Sequence, residues 1–139
     1  MRARVAIPLR LDDLEGGSFV SASRIAGLFS EARVRTILRK STPDGSILQS
    51  VVVRNELEFL HPIRYSTAPI EVYLWVSRVG RTSATIRSEA WSEALDSERV
   101  RSAIAVTTIV VTDAQTGQAR EVSGAERVAL EELGDEPPW

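Results

Sequence analysis

Hydrophobic and polar positions alternate with a period of two along most of the chain, and recur at helical spacing over one long stretch. From Arg2 to Leu11, Val5, Ile7 and Leu9 fall on one face and Arg4, Ala6 and Arg10 on the other. This predicts a strand. Pro8 marks an edge or irregular position, because proline has no N–H to give to a ladder. Asp12 to Ser18 is polar, holds Gly16 and Gly17, and reads as a tight connection. From Ser21 to Arg39, Ile25, Leu28, Phe29, Ala32 and Thr36 form one stripe, broadened by Ile37, while Glu31, Arg33, Arg35 and Arg39 take much of the rest. That spacing predicts a helix about 28 Å long at 1.5 Å per residue, capped by Ser21 or Ser23. Ser41-Thr42-Pro43-Asp44-Gly45 ends it. A helix with one apolar stripe needs a surface to cover.

After Gly45 the period returns to two. Ile47 to Leu60, Ile70 to Val79, Thr82 to Trp91 and Arg101 to Thr112 each read as a strand. The last has apolar residues on both faces, Ile104, Val106 and Val110 against Ala103, Ala105, Ile109 and Val111, so it is expected as the central strand of a sheet. Short connections such as Gly80-Arg81 make the neighbours antiparallel. Ser123 caps an expected final turn or helix, Gly124 to Leu133, followed by an acidic tail, residues 134–139, that ends in Pro137-Pro138-Trp139. The order is strand, long helix, four strands. A five-stranded antiparallel sheet curling round one helix satisfies it. A doubly wound α/β domain does not, since it needs a helix between successive parallel strands.

The chain of 139 residues is one domain's worth of sequence. A formal net charge of −2 gives no electrostatic reason to expect nucleic acid. With no cysteine and one histidine, disulfides, a cysteine nucleophile and a histidine-rich metal site are not expected. No run approaches the roughly 20 apolar residues of a membrane span. The basic start meets Asp12 and Asp13 too early for a signal peptide, so a cytoplasmic protein is expected.

Five local motifs stand in a particular order. Arg10-Leu11-Asp12-Asp13-Leu14-Glu15-Gly16-Gly17-Ser18-Phe19-Val20-Ser21-Ala22 leads into the helix. Glu31-Ala32-Arg33 lies inside it. Glu56 to Ile63 is an acidic-apolar strand closing on His61-Pro62-Ile63. Val79-Gly80-Arg81-Thr82-Ser83 is a turn, and Val110-Val111-Thr112-Asp113 with Thr116-Gly117 ends the last strand. Together they resemble the hotdog fold (α+β, a curved antiparallel sheet wrapped around one long helix) in its acyl-CoA thioesterase branch, related to the 4-hydroxybenzoyl-CoA thioesterases. The resemblance covers nearly the whole chain. Glu15 falls on the family's catalytic Asp and Asp13 on its structural neighbour. Ser18 to Ala22 stands where the family has Gly-His-Val-Asn-Asn.

The resemblance implies hydrolysis of an acyl-CoA or acyl-carrier thioester, with CoA as part of the substrate and no separate cofactor or metal. Glu15 would be the general base or nucleophile. Backbone N–H groups around Ser18, Phe19 and Val20 would polarise the thioester carbonyl, and Ser21 would orient or cap. Phe29, Phe59 and Tyr65 are candidates to line the acyl pocket, with Ser83 a pocket hydroxyl. Arg78, Arg81 and Arg87 are candidates for the CoA phosphates. Relatives join edge to edge as homodimers, with tetramers common among them. Two alternatives stay open: a non-catalytic hotdog protein that binds an acyl thioester, and a hotdog dehydratase or hydratase. The latter needs a helix-start His that this chain lacks.

Overall fold

The structure is a computed structural model that describes residues 2–15 and 17–134, the Glu15 side chain excepted. Its sheet contains β1 (Ala3–Ile7), β4 (Ser50–Phe59), β5 (Ile70–Val79), β6 (Ser83–Glu93) and β7 (Arg99–Val111), in the order β1-β5-β6-β7-β4, antiparallel throughout. Four strands fall where the period-two pattern puts them. β7 is interior, as its two apolar faces require, but the middle strand is β6. β1 stops at Ile7, just before Pro8.

The long helix is α1 (Ala22–Arg33), continued by a π-helical stretch, Val34–Leu38, and one further helical turn to Lys40. Thr36 Oγ1 and Ser41 Oγ donate back to the carbonyls of Ala32 and Ile37. Such bonds compete with the regular ladder for the same acceptors. Ile25, Leu28, Phe29 and Ala32 pack on the inner face of the sheet. That face is apolar on β5, with Ile70, Val72, Leu74 and Val76, and mixes small and large residues on β6 and β7, with Ala84, Ile86, Ala90, Ala103, Ala105 and Ile109.

Sequence inspection missed the hairpin within the Asp12–Ser18 connection and just after it, β2 (Leu14–Glu15) with β3 (Phe19–Val20). The hairpin turns through Gly17 at φ +91°, a conformation open to glycine. Strands of two residues carry no readable alternation, and tertiary bonds hold this pair. The final helix, α2 (Gly124–Glu132), follows Ser123 as expected. Beyond β1, the Val76 N–H donates to the Leu133 carbonyl, so the end of α2 takes over the β5 edge. Of the expected tail, residues 135–139 lie outside the described residues. Among the described residues no helix is long and apolar enough to cross a membrane.

α2 is held by a half-buried ion pair that makes stability pH-dependent. Glu126 accepts two hydrogen bonds from Arg120, at 2.8 Å each, and one from the Ser123 N–H. The Arg120 bonds are the first cause that brings the Glu126 carboxyl down to about 2, against the opposing cost of burial. The folded pKa lies below the unfolded one. The stabilisation is therefore complete above the unfolded value and is lost as pH falls from about 5 through about 2, at most about 3 kcal/mol. The acid-induced fall in the urea midpoint should be shallower in Glu126→Gln than in the native protein, and titration of the midpoint across this window checks it.

Candidate active site at the start of the long helix

The entry to α1 is held by one buried carboxylate. Asp13 is 3% exposed. It accepts from the Arg10 N–H at 2.8 Å and pairs with Arg24 Nε on α1 at 2.8 Å, while its own carbonyl accepts from the Ser21 N–H. Asp13 therefore staples the hairpin to the helix, which is its structural role. Ser21 is the N-cap, its hydroxyl accepting from the Arg24 N–H at 3.1 Å.

These bonds correct the expected oxyanion donors. The Val20 N–H already donates to the Ile63 carbonyl at 2.8 Å, and the Ser21 N–H to Asp13 at 3.0 Å. A donor held by a protein acceptor has no proton left for a substrate. Ser18 is exposed in the hairpin turn. The Ala22 and Ser23 amides, the first two of the helix, meet no acceptor among the described residues, as helix geometry requires. Ala22 faces a groove of about 260 Å³ with Phe19, Val20, Ile25, Phe59 and His61. Phe19 and His61 also line a second cavity, of about 390 Å³, with Arg64, Glu93 and Leu95. The Arg64 guanidinium stacks on the Phe19 ring at 4.8 Å.

Glu15 is the register partner of Phe19 in the hairpin, and so is placed beside this groove by its backbone. Its side chain lies outside what the structure describes. His61, at the close of the acidic-apolar stretch Glu56 to Ile63, stands on the walls of both cavities. Its Nδ1 bonds the Pro62 carbonyl at 2.9 Å. The carbonyl can only accept, so Nδ1 is the donor in that bond.

Other expected site residues lie elsewhere. Phe59 lines the groove, but Phe29 is core, 1% exposed. Tyr65 is exposed and on neither cavity wall. The Ser83 carbonyl closes the Gly80 turn, accepting the Gly80 N–H at 2.7 Å. Arg78 and Arg81 flank that turn, and Arg81 pairs with Glu121. Arg87 is opposite Trp75 on the sheet face away from α1. The turn and the helix start are separated by the length of β6, eleven residues or about 33 Å at 3.3 Å per residue. Nearness in sequence to a glycine turn did not show which end of the sheet the turn occupies. No cluster of three or more acidic or histidine side chains suited to a metal occurs among the described residues.

The fold is shared with solved thioesterases. A predicted thioesterase from Bacillus stearothermophilus is 23% identical over 99% of each chain, with a TM-score of 0.84. A thioesterase from Thermus thermophilus, complexed with coenzyme A and Zn, is 23% identical over 96% of this chain and 95% of that one, at 0.77. The 4-hydroxybenzoyl-CoA thioesterase of Pseudomonas sp. strain CBS-3 is 12% identical over 92% and 98%, at 0.79. These likenesses establish the hotdog architecture. No curated protein matches the sequence. The sequence model of the thioesterase superfamily matches residues 18–97, more than half of the chain and including the helix start, and the chain accordingly belongs to the thioesterase superfamily.

Proposed function

We propose that the chain hydrolyses acyl-CoA thioesters in the groove at the start of α1. The observation that carries this reading is the unengaged Ala22 amide on the wall of an apolar groove beside the backbone position of Glu15, with the unengaged Ser23 amide next to it in the first turn of α1. Glu15 removes a proton from water, the water oxygen bonds to the acyl carbon, and the carbonyl oxygen gathers negative charge. The two amides and the positive end of the helix dipole stabilise that charge. Collapse breaks the C–S bond, and the departing thiolate takes the proton back. Phe59, Ile25 and Leu60 offer the acyl chain an apolar wall. As an alternative to the base role, Glu15 attacks the acyl carbon itself and water releases the acid from the anhydride.

The active unit in this reading is a pair of chains joined at the β4 edge. Val51, Val52, Val53, Phe59 and Leu60 are all more than 40% exposed there, an edge that invites pairing. Antiparallel pairing turns the second copy end for end. Its Gly80 turn, with Arg78 and Arg81, then comes to the side of the first copy's helix start. This is how those arginines reach the CoA phosphates despite their distance within one chain.

The test is turnover of a panel of acyl-CoAs, with Ala22→Pro alongside. Proline is tolerated at the first helical position, and the extended Ser21 backbone, φ −66° and ψ 153°, suits a residue before proline. The substitution thus removes one N–H and keeps the helix. Turnover should fall about 10²–10³-fold, the usual cost of one oxyanion donor, with unchanged circular dichroism. Acyl-CoA binding without turnover by the native protein would show a binding module instead, and full activity in Ala22→Pro would remove the amide from its role.

A further inference from the structure

One cation is buried without a counter-charge. Arg33 is 5% exposed, and no carboxylate among the described residues pairs with it. Its Nη1 donates to Thr107 Oγ1 at 3.3 Å, and Thr107 Oγ1 donates to Asn55 Oδ1 at 2.8 Å. The order of donors has a directional consequence. With its acceptor side facing the guanidinium, the threonine proton goes to Asn55, so the amide oxygen of Asn55 is held inward. The Asn55 NH₂ keeps both donors for something else. Asn55 is exposed and sits halfway along β4.

The backbone agrees. The Leu60 N–H donates to the Ser102 carbonyl, one step beyond the pair Phe59 and Ala103. Alternation in an antiparallel ladder then leaves the N–H and C=O of Phe59, Leu57 and Asn55 pointing to the free edge. The register with β7 puts Arg54, Glu56 and Glu58 on the outer face, and Asn55, Leu57 and Phe59 on the inner face.

A two-fold axis pairing β4 with itself must pass through one residue, because opposite residues share a face. An axis at Arg54 or Glu56 sets like charges against each other on the axis. An axis at Leu57 sets Glu56 against Glu58 of the second copy. An axis at Asn55 sets Arg54 against Glu56 twice over, and lets the two Asn55 exchange backbone bonds.

We propose that Asn55, oriented through Thr107 by the buried Arg33, is the register-setting residue of a homodimer whose two-fold axis passes through it, with Arg54 and Glu56 paired across the seam. This rests on the edge-joined second copy proposed above and adds its register. Asn55 is the polar residue among Leu57 and Phe59 on the inner face of the seam, and a single polar side chain in an apolar row is a known way to select one register among several.

The native chain has no cysteine, so single-cysteine variants report without background. Asn55→Cys copies should be joined by a short bis-maleimide, whereas Leu57→Cys copies, roughly 14 Å apart in this register at 3.4 Å per residue, should not. Arg54→Glu should raise the dimer dissociation constant at least tenfold in sedimentation experiments, and adding Glu56→Arg should restore it. Cross-linking at Leu57→Cys instead of Asn55→Cys, or failure of the double exchange to restore pairing, would overturn the register while leaving the dimer. A monomeric native protein would overturn both. None of these readouts uses turnover, so each outcome is separate from the fate of the hydrolase reading.

Discussion

Glu15→Gln should lower kcat for acyl-CoA hydrolysis by about 10²–10⁴-fold, the range that a positioned base contributes, with little change in KM. The glutamine keeps the shape and length of the side chain and removes its capacity to take a proton or form an anhydride. Ground-state contacts to the acyl chain come from Phe59, Ile25 and Leu60, which the substitution leaves alone. Glu15→Asp should fall between the two, since it retains the carboxylate but withdraws it by one methylene. Steady-state kinetics on whichever acyl-CoA turns over fastest is the measurement. Undiminished kcat in Glu15→Gln would leave the groove without its base and direct attention to His61 on its wall.

The second large effect is structural. Asp13→Ala should cost about 3–5 kcal/mol, because removing one member of a buried pair strands the other. Arg24 would lose its carboxylate at 2.8 Å, and the Arg10 N–H would lose its acceptor. The damage is not confined to stability. Leu14 and Glu15 follow Asp13 directly, and the Asp13 carboxylate ties them to α1. Activity should therefore fall even where the variant remains folded. Urea denaturation gives the first quantity, and turnover at a temperature well below the midpoint gives the second. Asp13→Asn, which can still accept from the Arg10 N–H, should lose less of both.

Much of this architecture is legible in the residues because one face of each main element is buried. Ile70, Val72, Leu74 and Val76 alternate for that reason, and Ile25, Leu28, Phe29 and Ala32 recur at helical spacing for the same one. The Ser123 and Ser21 caps are legible because a cap needs a particular side chain at a particular place. The site is less so. Whether an amide is free depends on which distant carbonyl approaches it. Ile63, more than forty residues from Val20, decides that case. The arginines around Gly80 look like phosphate ligands for a nearby site until strand length shows them at the opposite end of the sheet. His61 went unremarked as a wall residue because its place depends on β3 and the β6–β7 turn packing beside it.

The two margins of the sheet are unequal, and this sets how far assembly can proceed. β1 has five residues, ends at a proline, and leaves the rest of β5 to the end of α2. β4 has ten residues and an apolar row, and among the described residues nothing is laid along it. A strand edge that is open on one flank only joins once and closes on itself. In the edge-joined pair proposed above, the asymmetry that admits a second copy at β4 also guards against filament growth, and Gly134 lies at the covered margin. A β-carbon on Gly134 would stand 3.0 Å from the Glu131 carbonyl and 3.2 Å from the Val76 carbonyl, so the terminal cover would have to shift against the β5 margin to admit it.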